Sequence, residues 1–208
     1  MDTGNQPLDA YTKRRKATRD RLVAAARSVM ASKNIEAVTI GEITRFAEVG
    51  KGSFYNHFKS KEDLFLATLD DVIAEIADHI TMAIKDVDDP AEILSIGIRL
   101  HIQLAVADPR IGRLIVNAPA SLDFLSRYAD PVINHTIDKG VESGRCEIFD
   151  RELFFTLMTS GLNATVLGHL DGKLGAETDV EFARCVLLLA GLSRSEAAEV
   201  VQKDVPND

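Results

Sequence analysis

Apolar residues recur along this 208-residue chain at three- and four-residue spacings, the period of helices, and no segment alternates as strands do. Leu22, Ala25, Ala26, Val29 and Met30 form the inner stripe of a first helix over Thr18 to Lys33, with Asn34 as its C-cap. Ile40, Ile43 and Ala47 give a second, short helix an inner face, and Phe54 and Phe58, four apart, do the same for a third over Lys51 to His57. Leu64, Leu66, Ala67, Leu69, Val72, Ile73, Ile76 and Ile80 stripe a fourth over Lys61 to Lys85. The fifth, Pro90 to Ala107, is apolar almost all round (Ile93, Leu94, Ile96, Ile98, Leu100, Ile102, Leu104), which marks a buried, central helix.

Polar punctuation sets the bounds. Thr39 with Glu42, and Ser193 with Glu196, have the spacing of capping boxes. Asp89-Pro90 and Asp108-Pro109 are caps followed by proline in the first turn, the second opening a short helix to about Asn117. Ser121 to Ser143 reads as a long helix kinked at Pro131, with Gly144 as its C-cap. Asp150 caps a helix to Leu170, a loop with two glycines fills Asp171 to Glu177, and Thr178 starts a helix through Leu192. The pattern predicts an all-α protein with three parts: a flexible basic arm over residues 1–17, a three-helix head over 18–60, and a larger helical body over 61–208.

Thr39 to Lys61 carries the candidate chemistry. Two short helices flank a turn at Glu48-Val49-Gly50, and Ser60-Lys61-Glu62-Asp63 caps the helix that follows. With Phe54 and Phe58 turned inward, Lys51, Ser53, Tyr55, Asn56 and His57 are left outside. That short, basic, hydroxyl-rich set holds the groups that donate to phosphates and base edges. The arrangement is that of a helix-turn-helix head.

Charge reinforces the division. The net charge of −8 argues against nucleic acid, but residues 1–61 carry 12 Lys and Arg against 6 Asp and Glu, and residues 62–208 carry 12 against 26. A basic head on an acidic body concentrates phosphate attraction at one end. Lys13-Arg14-Arg15-Lys16, with Arg19 and Arg21, extends that basic end as a phosphate-contacting arm. Cys146 and Cys185, with no metal-ligand spacing, read as free thiols of a reducing compartment. There is no apolar signal core and no run of 18 apolar residues, so the chain reads as cytoplasmic, with no membrane partner. His57, His79, His101, His135 and His169 lack metal-site spacing, and neither a phosphate-cradling glycine loop nor a GxSxG motif occurs. No cofactor, metal or catalytic residue is expected. The alternatives left are a ligand-independent helical interaction module and an all-α enzyme.

Thr39-Ile40, Ile43, Ala47, Val49, Lys51-Gly52-Ser53-Phe54-Tyr55 and His57-Phe58-Lys59-Ser60-Lys61-Glu62-Asp63-Leu64 resemble the signature of the tetracycline-repressor (TetR) family. The resemblance covers roughly Arg21 to Leu66; beyond it only the helical layout is similar. It implies a homodimeric transcriptional regulator, usually a repressor of palindromic double-stranded operators released by a small-molecule effector, with the DNA-binding head over 18–60 and the ligand-binding and dimerisation body over 61–208. It implies phosphate contacts from Thr39, Tyr55, His57 and Lys61, and base reading by Lys51, Gly52, Ser53 and Asn56. Three positions depart from the family pattern: Glu48 replaces the usual turn glycine, Gly50 a capping hydroxyl, and Gly41 a long side chain that reads bases in some relatives. A glutamate held at positive φ costs on the order of 1 kcal/mol.

Two further sets follow from helix faces. His101, Tyr128, His135 and Asn163 are polar groups on otherwise apolar helices, the composition of a small-molecule pocket. Met158, Gly161, Ala164, Thr165 and Gly168 form a stripe of mostly small residues, with Phe182, Val186, Leu189 and Ala190 on the next helix. Together they are the expected dimer interface.

Overall fold

The computed structural model describes residues 6–32, 37–116 and 131–206, and every regular element in them is an α-helix or a single 3-10 residue. In chain order the helices are α1 (Gln6–Ser32), α2 (Ile40–Phe46), α3 (Lys51–Tyr55), α4 (Lys61–Ala83), α5 (Pro90–Ala107), α6 (Pro109–Val116), α7 (Pro131–Glu142), α8 (Arg151–Leu170), α9 (Thr178–Leu189) and α10 (Arg194–Val201). The chain divides into two compact units, Met1–Asp71 and Val72–Asp208, with the boundary inside α4.

The head unit is built on buried Leu22, Ala25, Ala26 and Met30 of α1, against which α2 packs through Ile43 and Ala47. Phe54 and Phe58 lie ring to ring at 6.0 Å in the same core. Residues 6–17, expected as a flexible arm, are instead the opening turns of α1. Lys, Arg, Gln and Ala dominate there and are good helix formers, so the segment extends a helix anchored further along. α3 ends at Tyr55, two residues before the expected end, because His57 N–H bonds back only three residues, to Phe54. Asn34 and the stretch 121–130 lie outside the described residues.

In the body, α5 packs against α6, α7, α8, α9 and α10 and is the central helix. Leu94, Ile96, Ile98, Ile102 and Ala105 are buried on it, and Gly97 lets Ile133 of α7 approach, an added Cβ lying 3.4 Å from Ile133 Cδ1. Asp89 caps α5 by accepting from Ala91 N–H at 3.0 Å, and Asp150 caps α8 by accepting from Leu153 N–H at 2.9 Å. Ser193 and Glu196 form the expected capping box of α10. α9 stops at Leu189, three residues short of expectation, closed by Gly191 at φ 91°. Crowding by Glu147 adds to that glycine's need, since an added Cβ would lie 2.8 Å from Glu147 Cβ.

α8 is long and apolar enough on average to cross a membrane, although no 18 consecutive residues of it are apolar. Helices packed on protein meet the same test of length and composition. Of its apolar window 22% is buried, and Leu153, Leu157, Ala164 and Leu167 are exposed.

Candidate nucleic-acid interface

α2 starts where Thr39 caps it. Thr39 Oγ1 accepts from Glu42 N–H at 3.2 Å, and Glu42 Oε2 accepts from Thr39 N–H at 3.0 Å. The threonine hydroxyl also donates to Glu42 Oε2 at 3.1 Å, so a phosphate would compete with that carboxylate for the same proton. The turn that follows places its left-handed residue at Glu48, φ 53°. Gly50, expected to supply the turn's conformational freedom, is extended at φ −73° and ψ 152°, with nothing within 4 Å of an added Cβ. It is the N-cap of α3 and gives no side-chain hydrogen bond.

Glu48 is not isolated on the surface. Arg21 of α1 donates through Nη2 to the Glu48 carbonyl oxygen at 3.1 Å and to its carboxylate at 3.4 Å. The departure from glycine therefore brings its own counter-charge.

α3 presents one outer face. Lys51, Gly52, Tyr55 and Asn56 are exposed, Ser53 and His57 are half-buried, and Phe54 beneath them is fully buried. Tyr55 is 61% exposed yet held edge-on against the Phe54 ring, 5.2 Å between centroids. Gly52 has open space around an added Cβ, so this edge of α3 lets another surface come close to backbone. Gly41 of α2 lies under the Lys51 stem, its added Cβ only 3.7 Å from Lys51 Cε. Lys61 differs from the rest. Its ammonium donates to the Val38 carbonyl at 3.2 Å, tying the start of α4 to the segment before α2. Asp63 caps the same helix start by accepting from Lys59 N–H at 3.0 Å.

His57 is held neutral more strongly than a free imidazole. Partial burial lowers its pKa, and the positive charges of Arg15 and Arg19 lower it further. Sequence reasoning placed Arg15 on the arm and Arg19 in the first turn of the helix. Their four-residue separation on a helix was the signal that would have set them on one face.

Of the four residues expected to line a pocket, His101, Asn163 and His135 are among the described residues, and they differ in burial. His101 is half-buried on α5, with Nε2 itself buried and without a hydrogen-bond partner among the described residues, and burial pushes its pKa down to about 4. Asn163 is half-buried, but His135 is exposed on α7, because α7 turns Thr136 and Ile137 inward instead. Tyr128 lies outside the described residues. An open polar cleft elsewhere in the body contains none of them. Arg145 spans it, bonded to Asp89 at 3.0 Å and to Glu196 at 3.1 Å.

The expected interface stripe also turns out to face inward in large part. Met158 and Thr165 are buried, and Val186 and Ala190 are fully so. Gly161 accommodates the Phe182 ring, an added Cβ lying 2.7 Å from Phe182 Cε2, and Gly168 accommodates Leu174 at 2.6 Å. Of the set, only Ala164 and Leu189 are exposed. α8 instead exposes Leu153, Leu157, Ser160, Ala164 and Leu167, and α9 exposes Cys185, Leu188 and Leu189. Gly161 and Gly168 serve packing inside the chain, and Leu153, Leu157, Leu167, Leu188 and Leu189 are left outside.

Family models match both units. Residues 22–68 match that of bacterial regulatory proteins of the tetR family, and residues 89–203 match the tetracyclin repressor-like C-terminal domain. The chain belongs to the TetR family. QacR, an HTH-type transcriptional regulator of Staphylococcus aureus, is 39% identical over 51 residues, which are 24% of this chain and 27% of QacR. TtgR, an HTH-type transcriptional regulator of Pseudomonas putida, is 26% identical over 166 residues, 77% of this chain and 71% of TtgR. The chain thus spans well under half of several curated relatives, and as little as 18% of YxbF from Bacillus subtilis. Over nearly its full length it is similar to RolR. The crystal structure of RolR in complex with the ligand resorcinol superposes with a TM-score of 0.78 at 28% identity, covering 94% of this chain and 98% of that one. The match over residues 22–68 includes every position of the TetR-type outer face, Lys51 to His57. Among the described residues no group of three or more His, Cys, Asp and Glu is arranged to hold a metal ion.

Proposed function

We propose that this TetR-family chain is a ligand-responsive transcriptional regulator that binds palindromic DNA as a homodimer and acts as a repressor in the cytoplasm. The observation that carries it is the outer face of α3: Lys51, Gly52 and Tyr55, with Asn56 at its C-cap, stand exposed on a helix locked from beneath by the fully buried Phe54. Lys51, over Gly41, supplies a point charge with reach toward a guanine edge, and Gly52 lets backbone approach the duplex. Tyr55, His57, Thr39 and Lys61 are assigned to phosphates. For Lys61 that role requires its ammonium to share or leave the Val38 carbonyl.

The dimer is assigned to the exposed apolar face of α8 and α9: Leu153, Leu157, Ala164 and Leu167 with Leu188 and Leu189. A helix this apolar and this little buried gains most by meeting its own copy, and two-fold pairing covers both faces at once. It also holds two recognition helices at a fixed distance, about 34–36 Å for successive turns of DNA. The similarity to RolR makes resorcinol and related hydroxylated aromatics the first effectors to test.

Selection of a bound sequence from random duplex DNA, followed by titration over a range of salt, tests the function. Enrichment of a palindrome, bound saturably and released more readily at high salt, is expected. Binding no tighter to the selected sequence than to random duplex overturns it.

A further inference from the structure

Helical structure from Gln6 onward changes what the basic run does. Arg15 and Arg19 stand one turn apart on a rigid helix. The Arg19 guanidinium lies over the Phe58 ring, 5.6 Å from its centroid, and the His57 ring is 6.4 Å from that same ring. Arg15 is exposed, and Arg19 and His57 are half-buried, so the cluster opens to solvent. Neither arginine has a carboxylate partner among the described residues. On α1 the groups whose charge reaches His57 are these two cations. On its own segment the charged neighbours are Lys59, Lys61, Glu62 and Asp63, and Asp63 already caps Lys59 N–H.

Three groups with positive or potentially positive charge thus converge from two elements without an anion among them. The crowding works against protonation of His57, after the larger effect of partial burial. An anion entering the cluster reverses the balance, because an opposite charge favours the charged imidazole. An imidazolium then donates a charge-assisted hydrogen bond that a neutral ring does not.

We propose that Arg15, Arg19 and His57 form one phosphodiester-binding site for the DNA backbone, and that His57 takes up a proton from solvent when the phosphate enters. The proposal rests on the DNA-binding function above. The phosphodiester itself carries its charge throughout the neutral range, so the titrating group is the imidazole. The free-state pKa lies below the ordinary value and the bound-state pKa lies above the free one. Affinity is therefore greatest below the free pKa, falls as pH rises between the two, and is flat above both. The fall is at most about tenfold per pH unit for one proton per head.

The test uses the full chain and a random-sequence duplex, since backbone contacts do not depend on sequence. Affinity is measured at fixed salt from about pH 5.5 to about pH 8, the range in which histidine titrates. In parallel, the His57 ring resonances are followed by NMR, alone, with duplex, and with inorganic phosphate. The wild type should bind more weakly as pH rises, His57→Gln should show a shallower slope, and duplex should raise the His57 midpoint. Replacing both Arg15 and Arg19 with Gln should raise the free midpoint and reduce the salt slope by about two ions. Equal pH slopes in wild type and His57→Gln, or a midpoint that duplex leaves in place, overturns the site. A wild type that fails to bind duplex, while inorganic phosphate still raises the His57 midpoint, overturns the DNA-binding function and keeps an anion site.

Discussion

Arg21 holds Glu48 by both ends: its guanidinium donates to the backbone carbonyl at 3.1 Å and to the carboxylate at 3.4 Å, across 27 residues of sequence. This contact fixes a left-handed residue in the turn between α2 and α3. Glu48→Gly keeps the carbonyl contact and relieves a backbone worth about 1–2 kcal/mol. Against that stand about 0.4–1 kcal/mol of added unfolded-chain entropy and about 0–1 kcal/mol from the exposed ion pair. The melting temperature should therefore change little, while affinity for random duplex should rise, most at low salt, as a negative charge leaves the turn. Thermal melts and anisotropy titrations measure both. Weaker duplex binding by this variant would mean that the carboxylate serves the turn more than it opposes phosphate.

Lys51 and Lys61 are both lysines of the head, but their surroundings differ. Lys51→Ala should leave stability unchanged and cost about 1–3 kcal/mol at particular base pairs of a selected operator. Lys61→Ala removes the bond to Val38 as well as a positive charge, so it should lower stability by about 0.5–1.5 kcal/mol. It should also weaken binding to all sequences alike, with the salt slope reduced by about one. If both variants lose affinity for random duplex equally and melt alike, the two roles are assigned wrongly.

The interface prediction turns on which side of α8 faces out. Leu157→Glu and Leu188→Glu place charge on the exposed face and should give folded monomers that lose tight operator binding. Gly161→Leu drives a side chain into Phe182 within the same chain and should instead destabilise the fold by about 1–3 kcal/mol. Sedimentation velocity with circular dichroism separates the two effects. A Leu157→Glu protein that stays dimeric at low concentration removes this face from the interface.

His101 makes the body sensitive to acid. Its pKa in the folded chain is about 4, lowered by burial from an ordinary 6.5. The unfolded chain therefore binds a proton more readily over that interval, so stability is full above about pH 6.5 and is lost as pH falls toward 4. The loss from this one group is on the order of 3 kcal/mol. His101→Gln, which does not titrate, should melt with a smaller pH dependence over the same interval. An unchanged pH dependence would mean that His101 is not neutral because of burial.

Local chemistry along the chain determined the helices and most of their ends. The bounds Pro90–Ala107 of α5 were readable because Asp89 bonds only two residues ahead and proline fixes the first turn. The Thr39–Glu42 and Ser193–Glu196 boxes were readable for the same reason: each closes within three residues. The inward turn of Phe54 and Phe58, and with it the outer set on α3, also followed from spacing alone. What the sequence left open was the rotation of helices that are apolar on several sides. In α8 both the stripe through Met158 and Thr165 and the stripe through Leu153 and Leu157 have helical period, and periodicity gives no preference between them. Only packing against α5 and α9 decided it, because Gly161 was the place where Phe182 fitted. The bonds of Arg21 with Glu48 and Lys61 with Val38, and the charge effect of Arg15 and Arg19 on His57, join residues 23 to 42 positions apart. No local pattern encodes such pairs, since they exist only once the helices of the head are stacked.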